Sequence, residues 1–261
     1  MSRTHALSIE AALILGEDWD TGGGVVVKQP TLSEVLRWGE LDYYRTVGLL
    51  TCISSDCKAT LYDMGIMWYD LTDFDMFCIA THGLTPDDTS ILLGEELNLS
   101  KLHLYASPNG RDNYLADDDG KPIITYDVWQ ELHNFICRMH RLVKNPEFPG
   151  NDFAREMLLE ESRASAVQAQ ADGQRPILPT AISYVANAPG SKYGYKECLE
   201  LKYSTFMDCL ARTQIISEAT ALRSACLSGM IDTSKIDPED MNMLREIKTR
   251  KPKSPVTDNT K

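Results

Sequence analysis

The chain has no uninterrupted apolar run of about 18 residues, so no membrane-spanning helix is expected. No small-residue cleavage pattern follows its N-terminal apolar segment, HALSIEAALIL. That argues against a signal peptide and for a β-strand over residues 5–15. It also lacks any Cys-x-x-Cys pair. Its seven cysteines are Cys52, Cys57, Cys78, Cys137, Cys198, Cys209 and Cys226. The odd number, mostly within apolar helical patterns, argues against a disulfide framework and for reduced thiols of a cytosolic protein.

Positive charge is scarce. Lys and Arg number 26 against 38 Asp and Glu, a formal net charge of −12. Such a chain is repelled by phosphate backbones, so nucleic acid is not expected to bind the folded part. The exception is local. Lys248, Arg250, Lys251 and Lys253 form a basic tail, and residues 249–261 are too poor in apolar groups to fold.

Signatures of catalysis are missing as well. There is no Gly-x-Ser-x-Gly, and no Ser or Cys sits in a recognisable nucleophile setting. DTGGGVVVK has glycines, but no Lys-Ser/Thr follows, and the glycines precede a β-branched run. It reads as a hairpin turn and not a phosphate loop. ADDDGK has consecutive rather than alternating carboxylates and no distant glutamate, so a solvated turn is expected over a calcium loop. The link Asp232–Asp237 fails the same test, because Ile236 stands at the third ligand position.

What is present is an ordinary globular composition, 43% hydrophobic and 25% charged. Residues 24–28 read as a second strand. QPTLSEVLRWGELDYYRTVGLL reads as one helix with a Thr31/Glu34 capping box. Its apolar stripe is Leu32, Val35, Leu36, Tyr43, Val47 and Leu50, with some drift at Gly39. Short helices follow over SSDCKATLYDMG, LTDFDMFCIATHG and LTPDDTS, with Thr72 as a cap and Gly65 and Gly83 as stops. Asn109-Gly110 and Asp119-Gly120 punctuate a meander of two or three strands over about 101–125. A strong helix is expected from about 128 to 144, capped by Asp127. Its stripe is Val128, Leu132, Phe135, Ile136, Met139 and Val143. The next helix loses its large apolar residues after 165, and DGQRP reads as a linker.

The fold class is therefore α+β and predominantly α-helical, with small N-terminal β elements, a central meander and an all-helical C-terminal part. The division is an N-terminal part over 1–171, a linker over 172–178, helices over 179–248 (near 179–187, 195–202, 204–228 and 238–248), and the tail.

The sharpest chemical constellation is His133, Cys137 and His140. Spacings of four and three place them on one helical face, as metal ligands require, with a fourth ligand from elsewhere, Cys78 or His82. A metal-dependent enzyme would centre there. The competing reading, the one adopted, is an apolar helix edge where Cys is a common small core residue; no metal and no cofactor is expected. The aromatics Trp38, Tyr43, Tyr44, Trp68, Tyr69, Phe74 and Phe77 crowd the first third, where they read mainly as core. In ACLSGMIDTSKIDPEDMNMLREIKTRK, Gly229 reads as a helix stop, Asp237 as a cap and Pro238 as the first position of another helix.

Three segments in order carry a resemblance: VVVKQPTLSEVLRWGELDYYRTV, LYDMGIMWYDLTDFDMF, and YSTFMDCLARTQII with CLSGMIDTSKIDPEDMNMLR. Together they resemble a family of morphogenesis proteins encoded in tailed phages and prophages of Gram-positive bacteria, some of which look like tail assembly chaperones. The resemblance spans roughly 25–245. The family carries Asn-Trp near Asn242-Met243, so Met243 stands where relatives have a Trp. It implies a non-enzymatic protein of the bacterial host cytoplasm that holds a helical tape-measure-type partner before the tail tube polymerises. A structural virion component at the tail or head–tail joint is the alternative. The expected contact surface is Met230, Ile231, Ile236, Met241 and Met243, since methionine adapts to irregular partners. No membrane partner is expected, and self-association stays open.

Overall fold

The computed structural model describes residues 7–105, 113–173, 175–228 and 236–247. The strand expected over 5–15 is instead a helix, α1 (Ile9–Leu15). Caps decide it. Ser8 Oγ accepts from the Ala11 amide, and Gly16 ends the helix at φ 73°. A seven-residue apolar run looks alike in either state, so the ends carry the information.

β1 (Trp19–Asp20) pairs antiparallel with β2 (Val26–Val27) around the glycine turn. The second expected strand is thus present, but its partner is Trp19–Asp20 and not residues 5–15. Gly22 and Gly24 both adopt φ 82°. Gly23 lies against Val128, where an added Cβ would stand 2.4 Å from Cγ2.

The single helix expected from Thr31 is two. α2 (Leu32–Trp38) and α3 (Glu40–Leu50) meet at Gly39, whose φ of 104° suits only glycine. The Thr31/Glu34 capping box is present. The break turns Leu36 outward, while Leu32, Val35, Tyr43, Val47 and Leu50 are buried. A 3-10 turn (Ser54–Cys57) leads into α4 (Lys58–Asp63), and a second (Trp68–Asp70) into α5 (Asp73–Thr81). α5 starts at a Thr72/Asp75 capping box, and α6 (Pro86–Leu93) at Thr85/Asp88 with proline in its first turn.

A 3-10 turn (Leu99–Lys101) precedes the meander, which has β3 (His103–Tyr105), β4 (Tyr114–Ala116) and β5 (Pro122–Ile124), antiparallel in the order β3-β4-β5. Gly120 takes φ 75° in its second turn. Asn109-Gly110 lies outside the described residues.

α7 (Tyr126–His140) is capped by Thr125 and not Asp127, which sits in the first turn. It stops at Arg141 in the left-handed region, so Val143 lies beyond the helix and is exposed. α8 (Asp152–Asp172) starts at Asn151, and of its residues only Leu159 is buried. α9 (Leu178–Asn187), α10 (Tyr195–Glu200) and α11 (Tyr203–Leu227) follow. The helix expected over 238–248 is a single 3-10 turn, Pro238–Met241, and Asp237 caps it as expected, through the Glu239 amide. Asn242 and the two residues after it leave the helical path.

The main core joins both ends of the chain. Leu178, Ile182, Val185, Cys198, Tyr203 and Phe206 pack in one cluster with Leu32, Tyr43, Phe77 and Phe135. Burial of such side chains stabilises by roughly 1.5–3 kcal/mol each. A second cluster, Leu61, Trp68, Met76 and Leu159, holds α4 and α8. Polar links are long-range too. The Leu32 amide donates to Leu201 O at 3.0 Å, and the Tyr203 amide to Pro30 O at 2.8 Å. The buried Gln29 side chain donates to Ala12 O and Glu17 O and accepts from Ser204 Oγ at 2.8 Å. Among the described residues, no helix is long and apolar enough to cross a membrane.

Candidate functional site

The α7 face separates its three candidate ligands by environment. His133 and Cys137 meet, with the sulfur 3.7–3.8 Å from the ring nitrogens. His140 is committed elsewhere. Its Nδ1–H donates to Ile136 O at 2.9 Å, which fixes the tautomer. Nε2 is then an acceptor and takes the Tyr43 hydroxyl at 2.8 Å. Tyr203 packs on the same ring at 4.7 Å between centroids. Burial holds the His140 pKa down at about 4, so the ring is neutral at physiological pH. With both nitrogens engaged, no lone pair remains for a metal. Burial pushes the Cys137 thiol up to about 11. Among the described residues, no group of three or more His, Cys, Asp or Glu side chains is placed to hold a metal ion. The imidazole–tyrosine pair is a core polar contact.

A pair of thiols outside that face also meets. Cys52 follows the end of α3 and Cys57 closes the 3-10 turn before α4, and their Sγ atoms are 3.5 Å apart. The turn between them is pinned on several sides. Asp56 Oδ2 accepts from the Ile53 amide at 3.1 Å and from Lys144 Nζ at 2.6 Å. Asp73 Oδ1 accepts from the Ser54 amide at 3.2 Å, and Ser55 Oγ from the Glu147 amide at 2.8 Å. Both thiols are half-buried, unlike Cys78, Cys137 and Cys198, which are buried. The signal in the sequence is a Cys-x4-Cys spacing across Ser-Ser-Asp, which only a tight turn brings together.

The third feature is the C-terminal clasp. Residues 236–247 fold back along α11. Arg212 Nη1 donates to Met243 O at 2.7 Å and Arg245 O at 3.0 Å, and Arg223 Nε to Met241 O at 3.1 Å. Arg245 pairs with Glu218 and Asp240. Of the expected contact residues, Ile236, Met241 and Met243 are half-buried, and Met241 Sδ lies 4.0 Å from Cys226 Sγ. Met230 and Ile231 lie outside the described residues, as does Gly229. Two leucines that the sequence did not single out stand in solvent beside this clasp. Leu227 is 90% exposed and Leu244 86%.

Two surface clefts adjoin α2. One of about 490 Å³ is lined by Lys28, Arg37 and Lys202 together with Asp18, Glu34 and Glu95. The other, about 300 Å³, shares Arg37 and Trp38 and adds Arg45, Asp87 and Asp88. Mixed charge neutralises each locally, and neither contains a nucleophile–base pair.

Comparison with models of known protein families, with curated proteins and with solved structures returned no match.

Proposed function

We propose that the chain is a non-enzymatic assembly protein of a tailed phage, a tail assembly chaperone that holds a helical tape-measure-type partner in the host cytoplasm. The observation that carries this reading is the set of exposed apolar side chains along α11 and its clasp. Ile216 and Leu227 on the helix and Leu244 on the clasp are exposed, and Met241 and Met243 on the clasp are half-buried. Exposed apolar groups spaced along α11 and its clasp suit the apolar stripe of an amphipathic helix. The three ordered segments of family resemblance support the same role. The third of them, YSTFMDCLARTQII with CLSGMIDTSKIDPEDMNMLR, includes these residues.

Co-expression with a candidate tape-measure-type protein tests the proposal. The pair is expected to co-purify. Leu227→Asp with Leu244→Asp is expected to weaken the complex by at least about tenfold, since burying each leucine contributes roughly 1.5–3 kcal/mol. Stoichiometric amounts in mature virions would sink the chaperone role in favour of a structural one.

A further inference from the structure

We propose that Cys52 and Cys57 form a thiol–disulfide exchange site that reacts with low-molecular-weight disulfides to close an intramolecular Cys52–Cys57 bond. The inference is independent of the assembly role.

Three observations carry it. The sulfurs are already in contact at 3.5 Å, so closure to a disulfide needs them to approach by only about 1.5 Å. The turn that presents them is held by Asp56, Asp73, Lys144 and Glu147, so the two thiols meet repeatedly in one arrangement. Both are partly open to solvent, which an attacking reagent requires.

The pair is also asymmetric. The hydrogen bond from the Cys52 thiol, helped by the Lys144 ammonium, lowers the Cys57 pKa to about 7 against the opposing effects of burial and Asp56. The same bond and burial push Cys52 upward. Cys57, which also stands at the N-cap of α4, is assigned the attack and Cys52 the resolving role.

Two exchanges complete the reaction. Cys57 thiolate attacks one sulfur of R–S–S–R, the S–S bond breaks, and RS⁻ leaves and takes up a proton. Cys52 gives its proton to solvent and attacks Cys57 Sγ. The bond from Cys57 to the SR group breaks, and the second RS⁻ leaves. The two cysteines lose two electrons and two protons, and the reagent is reduced to two thiols.

Oxidised glutathione added to the full-length reduced protein, followed by quenching, unfolding and alkylation, tests this directly. Trypsin releases Thr46–Lys58 with both cysteines in one peptide. This peptide is expected to lose both alkylation sites and become lighter by two hydrogens, at least about tenfold faster than Cys209 or Cys226 is modified. Cys52→Ser is expected to trap glutathione on Cys57, and Cys57→Ser to leave Cys52 unmodified over the same interval. Reaction no faster than at Cys209 and Cys226, or arrest of the wild-type protein at a mixed disulfide, would overturn the proposal. The wild-type kinetics are decisive alone, whether or not either serine variant folds.

Discussion

Glu40 Oε1 accepts the backbone amide of Leu178 at 3.0 Å, and that of Ile177 at 2.7 Å. A buried carboxylate on α3 thus caps the start of α9, 138 residues further along the chain. No side chain of the Ile177 region performs that task. Truncation in Glu40→Ala would strand two amides at the core boundary. The expected loss is about 2–3 kcal/mol, read as a lower urea midpoint with unchanged slope. Glu40→Gln keeps an acceptor oxygen and should lose clearly less.

Acid should weaken the fold through His140. Its folded pKa of about 4 lies below its ordinary 6.5, because burial disfavours the cation. Between these values the unfolded chain binds a proton that the folded chain refuses. The contribution is therefore fully present above about pH 6.5 and is lost as pH falls towards 4, by about 3 kcal/mol in all. His133, also lowered chiefly by burial, acts in the same direction. Unfolding free energies between pH 7.5 and 4.5 should rise with pH, and His140→Gln should flatten part of that slope while remaining less stable at neutral pH.

Gly23 and Val128 should couple. A Cβ at residue 23 would sit 2.4 Å from Val128 Cγ2, closer than any side chain tolerates. Gly23→Ala is expected to destabilise by about 1–3 kcal/mol. In the Val128→Ala background the same change should cost markedly less. Additive losses in a double-mutant cycle would show that the hairpin does not press on α7.

Arg212 should govern the clasp. Its guanidinium takes the carbonyls of Met243 and Arg245, so Arg212→Ala removes these two main-chain bonds and leaves that of Arg223 to Met241 O. Limited proteolysis is expected to cut this segment several-fold faster, with little change in the global unfolding midpoint. Equal rates would assign the tether to Arg223 and the Arg245–Glu218 pair.

Local rules are legible where a side chain answers its own neighbours. Thr31, Thr72 and Asp237 cap as their spacing indicates, and the meander and the broad helical class follow from turn residues and periodicity. The first element departs from its strand reading because IEAALIL has no period of its own and its caps outweigh its apolar run. The α2–α3 break is visible only as drift around Gly39, since periodicity cannot report a φ of 104°. His140 is unreadable as a core group because Tyr43 lies 97 residues away. The Cys52–Cys57 contact needs the turn, and the exposure of Leu227 and Leu244 shows only once α11 and its clasp are seen to leave them uncovered.

Gln29 sets an order on the making of this protein. Its amide group bridges Ala12 and Glu17 on one side and Ser204 on the other, while Lys202 Nζ donates to its carbonyl. A chain emerging from the ribosome produces Gln29 and its first partners early, but Ser204 follows 175 residues later. At about 5–20 residues per second, that interval lasts roughly ten to thirty-five seconds. Until then the polar centre of the N-terminal half is incomplete, and Leu32, Tyr43 and Phe135 lack the α9 and α11 residues that cover them. The nascent N-terminal half must therefore wait, partly uncovered, for its own C-terminal helices.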